Sequence, residues 1–326
     1  MSGIFKTVLL RTKFGQRIKE ENAYHLYYNN YKKMRELITN QSPEHGIRYL
    51  WNKYMDYPLN LDVPRSFNEK LQWLKLNWYN EEARVCANKF KVREYVRSVG
   101  LEHLLIDLIA VYRCPEEIVW SQLPQKFVLK PSHDSGHTII CTDKSLLNER
   151  KIKRNLQRWL DIDYQYVGGE WPYASEKYIV CEKLMESPDG RELTDYKFMC
   201  FNGEPKLLFT CLDRFSEGGL KLNFYDLDWN LLPFERHYPR SNRNIHKPER
   251  FNEMISYAKA LAKPFPFVRV DLYELNEQVY FGELTFFPGG GIEDFQPESV
   301  DFELGSLLTL PTKSDPWSIL LSQKGL

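Results

Sequence analysis

The chemistry-bearing residues of this sequence concentrate in one segment, Phe267-Val-Arg-Val-Asp-Leu-Tyr-Glu-Leu-Asn-Glu-Gln-Val-Tyr-Phe-Gly-Glu-Leu-Thr-Phe-Phe-Pro-Gly-Gly-Gly291. Read as a strand, it sets Val268, Val270 and Leu272 on one face and Arg269, Asp271 and Tyr273 on the other. A hairpin turning around Asn276-Glu277-Gln278 puts position 271 opposite 283 and 269 opposite 285. The carboxylates of Asp271 and Glu283 then occupy adjacent sites. Two like charges that face each other need a cation. Mg²⁺ is usually held by one or two carboxylates together with nucleotide phosphates and water, and this pair can offer such ligands. Arg269 beside them can hold a developing phosphoryl oxyanion. The plainer alternative is a surface hairpin carrying an Arg/Asp/Glu salt-bridge cluster. Pro288-Gly-Gly-Gly291 favours the ligand-binding reading, because successive glycines let backbone amides approach an anion closely.

Strands must position these groups. After Pro124 the sequence turns strand-like, in Phe127-Val-Leu-Lys130, His137 to Cys141, Tyr178 to Leu184, Asp195 to Phe201, Pro205 to Cys211 and Lys221 to Tyr225. Turn chemistry such as Phe201-Asn-Gly-Glu-Pro205 between alternating segments predicts a largely antiparallel arrangement. Helices are predicted near 145–160 and 248–263. Residues 1–80 are polar, Tyr-rich and helical in pattern, interrupted by Pro43, Pro58 and Pro64. From Glu81 to Val99, valines at 85, 92, 96 and 99 draw an apolar stripe and Lys89, Arg93 and Arg97 a cationic one, which predicts one helix stopped at Gly100. The fold class is α+β. Its expected divisions are a helical N-terminal region over 1–80, a first part over 81–185 and a C-terminal part over 186–326 that carries the acidic pair.

Composition narrows the function classes. The 326 residues are 43% hydrophobic and 14% aromatic, enough for a substantial core. The 44 Lys and Arg balance 44 Asp and Glu, so no whole-chain field would hold nucleic acid. No run approaches the roughly 18 apolar residues of a spanning helix. Six cysteines without a CxxC pair fit neither a zinc knuckle nor a dense disulfide framework, and reduced thiols in a cytoplasm are the simplest reading. Lys6, Arg11, Lys13, Arg17 and Lys19 surround a short apolar patch that lacks the features of an export signal. A basic amphipathic helix there could touch anionic lipid at the inner face of a membrane, or could pack on its own protein.

Arg269-Val-Asp271, Glu283-Leu-Thr285 and Pro288-Gly289 resemble the end of the active-site region in the ATP-grasp superfamily. Thr285 stands where that superfamily usually has an Asn ligand. The ordered series Phe67-Asn-Glu-Lys-Leu-Gln-Trp-Leu74, Lys89 with Val92-Arg-Glu-Tyr-Val96, Phe127 to Lys130, Asp195-Tyr-Lys197 and Gly282 to Thr285 is similar to the TupA-like ATP-grasp family of teichuronopeptide and capsule gene clusters. The resemblance covers roughly residues 45–310. It implies an ATP-grasp fold with antiparallel sheets, and ATP and Mg²⁺ as cofactors. The metal ligands it implies are Asp271, Glu283 and Thr285. Lys89, Lys130 and Lys197 would reach the ATP phosphates, although the family more often has Asp-Lys where this chain has Asn88-Lys89. Ser132 to His137, with Ser135 and Gly136, would form a mobile phosphate flap. Glu182 would face the adenine, Leu184 would pack beneath it, and Glu186 would meet the ribose hydroxyls. Amphipathic strand residues facing solvent are the alternative for Glu182, and a solvated lysine for Lys197. His133 and His137 are spaced like metal ligands, but a flap is a poor place for zinc.

The activity implied by the resemblance is an ADP-forming ligase of surface-polysaccharide synthesis. A carboxylate takes the γ-phosphoryl group of ATP, Arg269 and Lys197 stabilise the transfer, and an amine then displaces phosphate to give an amide. The partners would be a uronic acid on a nucleotide or lipid carrier and an amine or amino acid. Two other classes compete. Asp226-Leu-Asp228 could hold the metal of a glycosyltransferase, or form a turn. Eight Trp and twenty Tyr could stack on sugars in a non-catalytic binding module, or fill the core.

Overall fold

The structure, a computed structural model, describes residues 16–18, 21–187, 193–212, 219–243 and 245–323. Between residues 21 and 80 the chain is helical as expected, with helices Glu21–Asn40, Pro43–Tyr54 and Phe67–Asn77. Ser66 and Glu69 close a reciprocal capping box at the start of the third, which fixes where that helix begins. Most of the basic segment at the N-terminus lies outside the described residues. Its Gln16–Ile18 portion is a correction to the helical reading, since it forms a short strand, β1.

The expected helix over 81–99 is two helices, Glu81–Cys86 and Val92–Ser98. Asn88 causes the break. Its Oδ1 accepts from the backbone N–H of Phe90 at 3.0 Å and of Lys91 at 3.2 Å, and its Nδ2 donates to Ser175 Oγ and the Glu176 carbonyl. A side chain that bonds nearby backbone in this way competes with the helical ladder. Lys89 therefore sits in a turn. The cationic stripe divides as well: Arg93 is buried, while Arg97 pairs at the surface with Glu102 at 2.8 Å.

β1, β2 (Leu108–Tyr112), β3 (Phe127–Pro131), β4 (Ile139–Cys141) and β5 (Ile179–Lys183) form a five-stranded sheet in the order β1-β4-β3-β5-β2. β6 (Tyr196–Phe201), β7 (Glu204–Leu212), β8 (Lys221–Asp226), β10 (Phe267–Leu275) and β11 (Gln278–Thr285) form a second, ordered β11-β10-β6-β7-β8. β9 (Glu235–Arg236) pairs with β12 (Phe295–Gln296). Every strand pair among the described residues is antiparallel. β2, β9 and β12 are strands that the alternation along the sequence does not predict.

Helix Glu149–Leu160 packs on the first sheet through Ile152, Asn155, Leu156, Trp159 and Leu160, one face at helical spacing. The second sheet shares its core with the N-terminal helices. Phe67 stacks edge-on against Phe267, their centroids 4.8 Å apart, and lies 5.6 Å from Phe201. Six of the eight tryptophans are buried, which accounts for them as core rather than as a sugar platform. Asp226 ends β8, and its side chain caps the turn that follows. Its Oδ1 accepts from the N–H of Asp228 and of Asn230 at 3.0 and 2.8 Å.

Candidate active site

β10 and β11 pair with Asp271 opposite Glu283 and Arg269 opposite Thr285. The connection is a two-residue turn, with Asn276 at φ 51° and Glu277 at φ 60°. A bulge between Asp271 and Leu272 then adds one residue on β11, which restores the register that a three-residue turn would have produced. Gly282 makes the bulge feasible: a Cβ there would lie 2.9 Å from the Tyr273 ring and 3.0 Å from the Asp271 carbonyl.

The Arg269 guanidinium collects the other three side chains. Its Nε and Nη2 donate to Asp271 Oδ1 and Oδ2 at 2.6 and 2.7 Å, and Nη2 also reaches Glu283 Oε1 at 2.9 Å and Thr285 Oγ1 at 3.0 Å. Thr285 Oγ1 donates to Glu283 Oε1 at 3.1 Å, so the hydroxyl orients that carboxylate. From β6, opposite Asp271 on its other side, Lys197 bonds Asp271 Oδ2 and lies 3.2 Å from Asp195. Asp271 is 1% exposed, and burial pushes its carboxyl upward against Arg269 and Lys197. Burial would raise Glu283 too, but Arg269, Lys89 and Lys197 together hold it down to about 2. Lys197 is raised, because Asp195 and Asp271 outweigh its desolvation.

On the first sheet, Lys130 Nζ lies 2.5 Å from Glu182 Oε2, and Arg93 Nη1 lies 3.6 Å from Oε1. Glu182 is thus buried between two cations. Leu184 follows β5 and is half-buried. Glu186 sits apart at the surface, paired with Lys126 at 2.7 Å.

Lys89 joins the 132–137 loop. Its N–H donates to the Ser132 carbonyl at 2.8 Å, and its Nζ bonds the Asp134 carbonyl and lies 3.5 Å from Asp134 Oδ1. Ser132, His133 and Asp134 are buried, Ser135 is half-buried, and Gly136 is exposed at φ 99°. His133 Nε2 donates to the Ile162 carbonyl at 3.0 Å, whereas His137 pairs with Asp134 at 2.6 Å and stacks on Trp159. The two imidazoles thus have separate commitments.

The glycine loop departs from expectation. Its carbonyls, not its amides, carry its strongest contacts. Lys75 Nζ donates to the Gly290 and Gly168 carbonyls at 2.7 and 2.8 Å, and Gln72 Nε2 to those of Gly291 and Gly290 at 2.7 and 3.1 Å. Gly289, Gly290 and Gly291 all have φ near +60°, and a Cβ at Gly291 would fall 2.5 Å from Gln72. Gln72 lies within the Phe67 to Leu74 motif and Lys75 directly follows it. A glutamine and a lysine three apart on one helix face are the available signal, which local pattern alone does not tell from a solvated pair.

Tyr173 is within electrostatic reach of Glu283 and Arg269 on one side and of Asp134 on the other. Burial drives its phenol far upward, with Glu170, Glu283 and Asp134 adding to this and Arg269 opposing it. The acidic pair presents hard oxygen donors on adjacent strands, both aimed at one cationic nitrogen, and this donor set suits Mg²⁺. Among the described residues no cluster of three or more His, Cys, Asp or Glu could hold a metal by itself. A metal here would need further ligands, as Mg²⁺ bound with nucleotide phosphates does.

Two antiparallel sheets thus frame the site, one bearing Lys130 against Glu182 and the other an acidic pair on an arginine. The chain belongs to the TupA-like ATP-grasp family, whose model matches residues 69–309. Among solved structures, D-alanine–D-alanine ligase from Bacillus anthracis complexed with ATP is 16% identical, with 62% of this chain and 56% of that chain covered and a TM-score of 0.38. The Helicobacter pylori D-alanine–D-alanine ligase is 15% identical, covering 74% and 69%, at a TM-score of 0.39. The ATP-grasp ligase PsnB, complexed with a phosphomimetic variant of its minimal precursor, Mg and ADP, is 11% identical, covering 81% and 64%, at 0.37. This chain thus spans little more than half of the Bacillus anthracis ligase. No curated protein sequence matches it.

Proposed function

We propose that the protein is an ATP-dependent, ADP-forming carboxylate–amine ligase of surface-polysaccharide synthesis. It would join a uronic acid, carried on a nucleotide or lipid, to an amine or amino acid. The observation that carries this reading is the convergence of Asp271 and Glu283 on Arg269, with Lys197 alongside and Lys89 within electrostatic reach of Glu283. Family membership supports the nucleotide, and the gene clusters implied by the resemblance suggest the polysaccharide. The acid and amine are assigned by analogy.

In this reading Asp271 and Glu283 would hold Mg²⁺, which when bound supplies charge neutralisation on the nucleotide phosphates. Lys89, Lys130 and Lys197 draw the triphosphate in and hold it. Arg269 stabilises charge on the transferred group, and Thr285 keeps Glu283 oriented. Positioning and charge carry the catalysis, and no covalent nucleophile is needed. Ser135 and Gly136 would cover the phosphates; Leu184 would pack on the base, and Glu186 would have to leave Lys126 to meet a ribose. Among the described residues no helix is long and apolar enough to cross a membrane. The reading sets the protein in the cytoplasm, at the inner membrane face if its acceptor is lipid-linked.

The test is phosphate release from ATP across a matrix of uronic-acid donors and amines, with product masses recorded. A ligase forms ADP and an amide only when both partners are present. Release of a nucleoside diphosphate from a sugar donor would indicate a transferase, and no turnover of either kind a binding module.

A further inference from the structure

Helix Glu149–Leu160 turns one face to the first sheet and leaves the other unused by the chemistry above. Ile152, Leu156, Trp159 and Leu160 are buried. On the far side Arg150, Lys151 and Arg154 are exposed, with Lys153 and Arg158 half-buried. These five cations occupy about 18 Å of helix. The acids at its two ends are Glu149 and Asp161, and Asp161 accepts a hydrogen bond from Gln157 at 2.8 Å. Surface cations elsewhere are matched, as Arg48 is by Glu44, Arg97 by Glu102 and Lys259 by Glu204. Among the described residues Arg150, Lys151, Lys153 and Arg154 have no ion pair.

The cationic face is turned away from the site. The helix covers Phe127, Leu129, Ile139 and Cys181, and alternation along β3 and β5 puts Lys130 and Glu182 on the other side of that sheet. The chain's own N-terminal stretch is a poor cover for it. β1 pairs with β4 so that Gln16 lies beside Cys141, where the chain leaves the sheet toward the helix. The sequence before Gln16 carries Lys6, Arg11 and Lys13, and a basic segment does not neutralise a basic face. With no net charge on the whole chain, the patch acts only over a Debye length, about 8 Å at physiological salt. Its partner must come into contact. Leu146, in the turn that leads into the helix, is 47% exposed. An apolar side chain beside a row of cations suits the boundary of anionic headgroups and acyl chains, and it contributes nothing against a nucleic-acid backbone.

We propose that this helix docks the protein on an anionic membrane surface, its cations against the lipid headgroups and Leu146 at their edge. The apolar side of the helix is committed to the sheet, so the contact is electrostatic and reversible and involves no insertion of the helix. Docking turns the helix-covered face of the first sheet to the lipid and the face bearing Lys130 and Glu182 away from it, which leaves the site uncovered. The inference stands on this surface alone and does not depend on the ligase reading. It assigns the lipid contact to residues 149–160 rather than to the basic N-terminal stretch.

The test is flotation of the whole protein, without nucleotide, on phosphatidylcholine vesicles that contain or lack phosphatidylglycerol. Binding is expected only with phosphatidylglycerol, and it should fall away as salt rises from about 0.1 M to about 1 M, where the Debye length shrinks to about 3 Å. Arg150→Gln, Lys151→Gln and Arg154→Gln combined should weaken binding about 10²-fold, because each cation near an anionic leaflet contributes about fivefold. An unchanged urea midpoint shows that this variant is folded. Lys6→Gln, Arg11→Gln and Lys13→Gln combined should change binding little. No binding, equal binding to both kinds of vesicle, or a helix variant that binds like wild type overturns the proposal, as does a loss that follows the N-terminal variant instead. A DNA duplex bound more tightly than the anionic vesicles at the same salt also overturns it, and makes the face a nucleic-acid site. A protein that forms no ADP with any acid defeats the ligase reading and leaves the vesicle measurements standing.

Discussion

Arg269 grips Asp271, two residues along its own strand, with both edges of its guanidinium fork at 2.6 and 2.7 Å. Alternation along a strand puts the two on one face, and the bidentate geometry fixes the plane of the carboxylate. The same Nη2 reaches Glu283 across the ladder, so one arginine is counter-charge to both acids.

Replacing either acid should therefore stop turnover, but the two substitutions should differ in stability. Glu283→Gln, at a partly exposed side chain, should lower ATP turnover about 10²-fold or more with the fold kept, since even outer-shell partners of a metal cost about 10- to 100-fold. Asp271→Asn should lose as much activity and also about 3 to 5 kcal/mol, because it strips a buried partner from Arg269 and Lys197. ADP release and urea denaturation measure the two effects. Full activity in either variant removes the acidic pair from the chemistry.

Lys75→Met keeps the volume of a fully buried side chain and deletes two charge-assisted bonds to carbonyls. Each is worth about 1.5 to 3 kcal/mol, so a loss of about 3 kcal/mol or more is expected. An unchanged urea midpoint would show that the glycine loop holds its shape without the clamp.

Glu182→Gln should leave Lys130 and Arg93 without the carboxylate that lies between them in a largely buried site. The expected cost is about 3 kcal/mol, read as a fall in the urea midpoint. A midpoint equal to wild type would mean that solvent already screens the pair.

His133 makes stability depend on pH. Burial lowers its imidazole from 6.5 to about 4, so the unfolded chain binds the proton more readily. Its contribution is complete above pH 6.5 and is lost as pH falls toward 4, by about 3 kcal/mol at most. Glu170 opposes this: burial raises its carboxyl, with Lys75 working against the rise, so protonation there favours the folded state. The His133 share is isolated as the difference between wild type and His133→Asn in urea midpoints at pH 7 and pH 5. A difference that does not change with pH would exclude a neutral buried imidazole.

Most of the sheet structure was legible locally. Side-chain alternation in 267–275 and 278–285, and Asn-Gly at 202–203, follow from short-range rules, and the 271 to 283 register could be counted along the chain. The count succeeded although it assumed a three-residue turn, because a two-residue turn and a one-residue bulge add to the same offset. Lys89 shows the opposite case. Helical spacing placed it on a helix, but Asn88 bonds residues 87 and 88 positions away, and no local pattern reports those partners.

By itself, then, the sequence determined which side chains share a face, where hairpins turn and which acids stand opposite each other, because those depend on backbone periodicity over a few residues. Only the tertiary structure decided which charges neutralise one another. Lys75 finds Gly290 across 215 positions, and Lys197 finds Asp271 across 74. Electrostatic energy depends on distance in space and on the removal of water, and both are set by the packing of the whole chain.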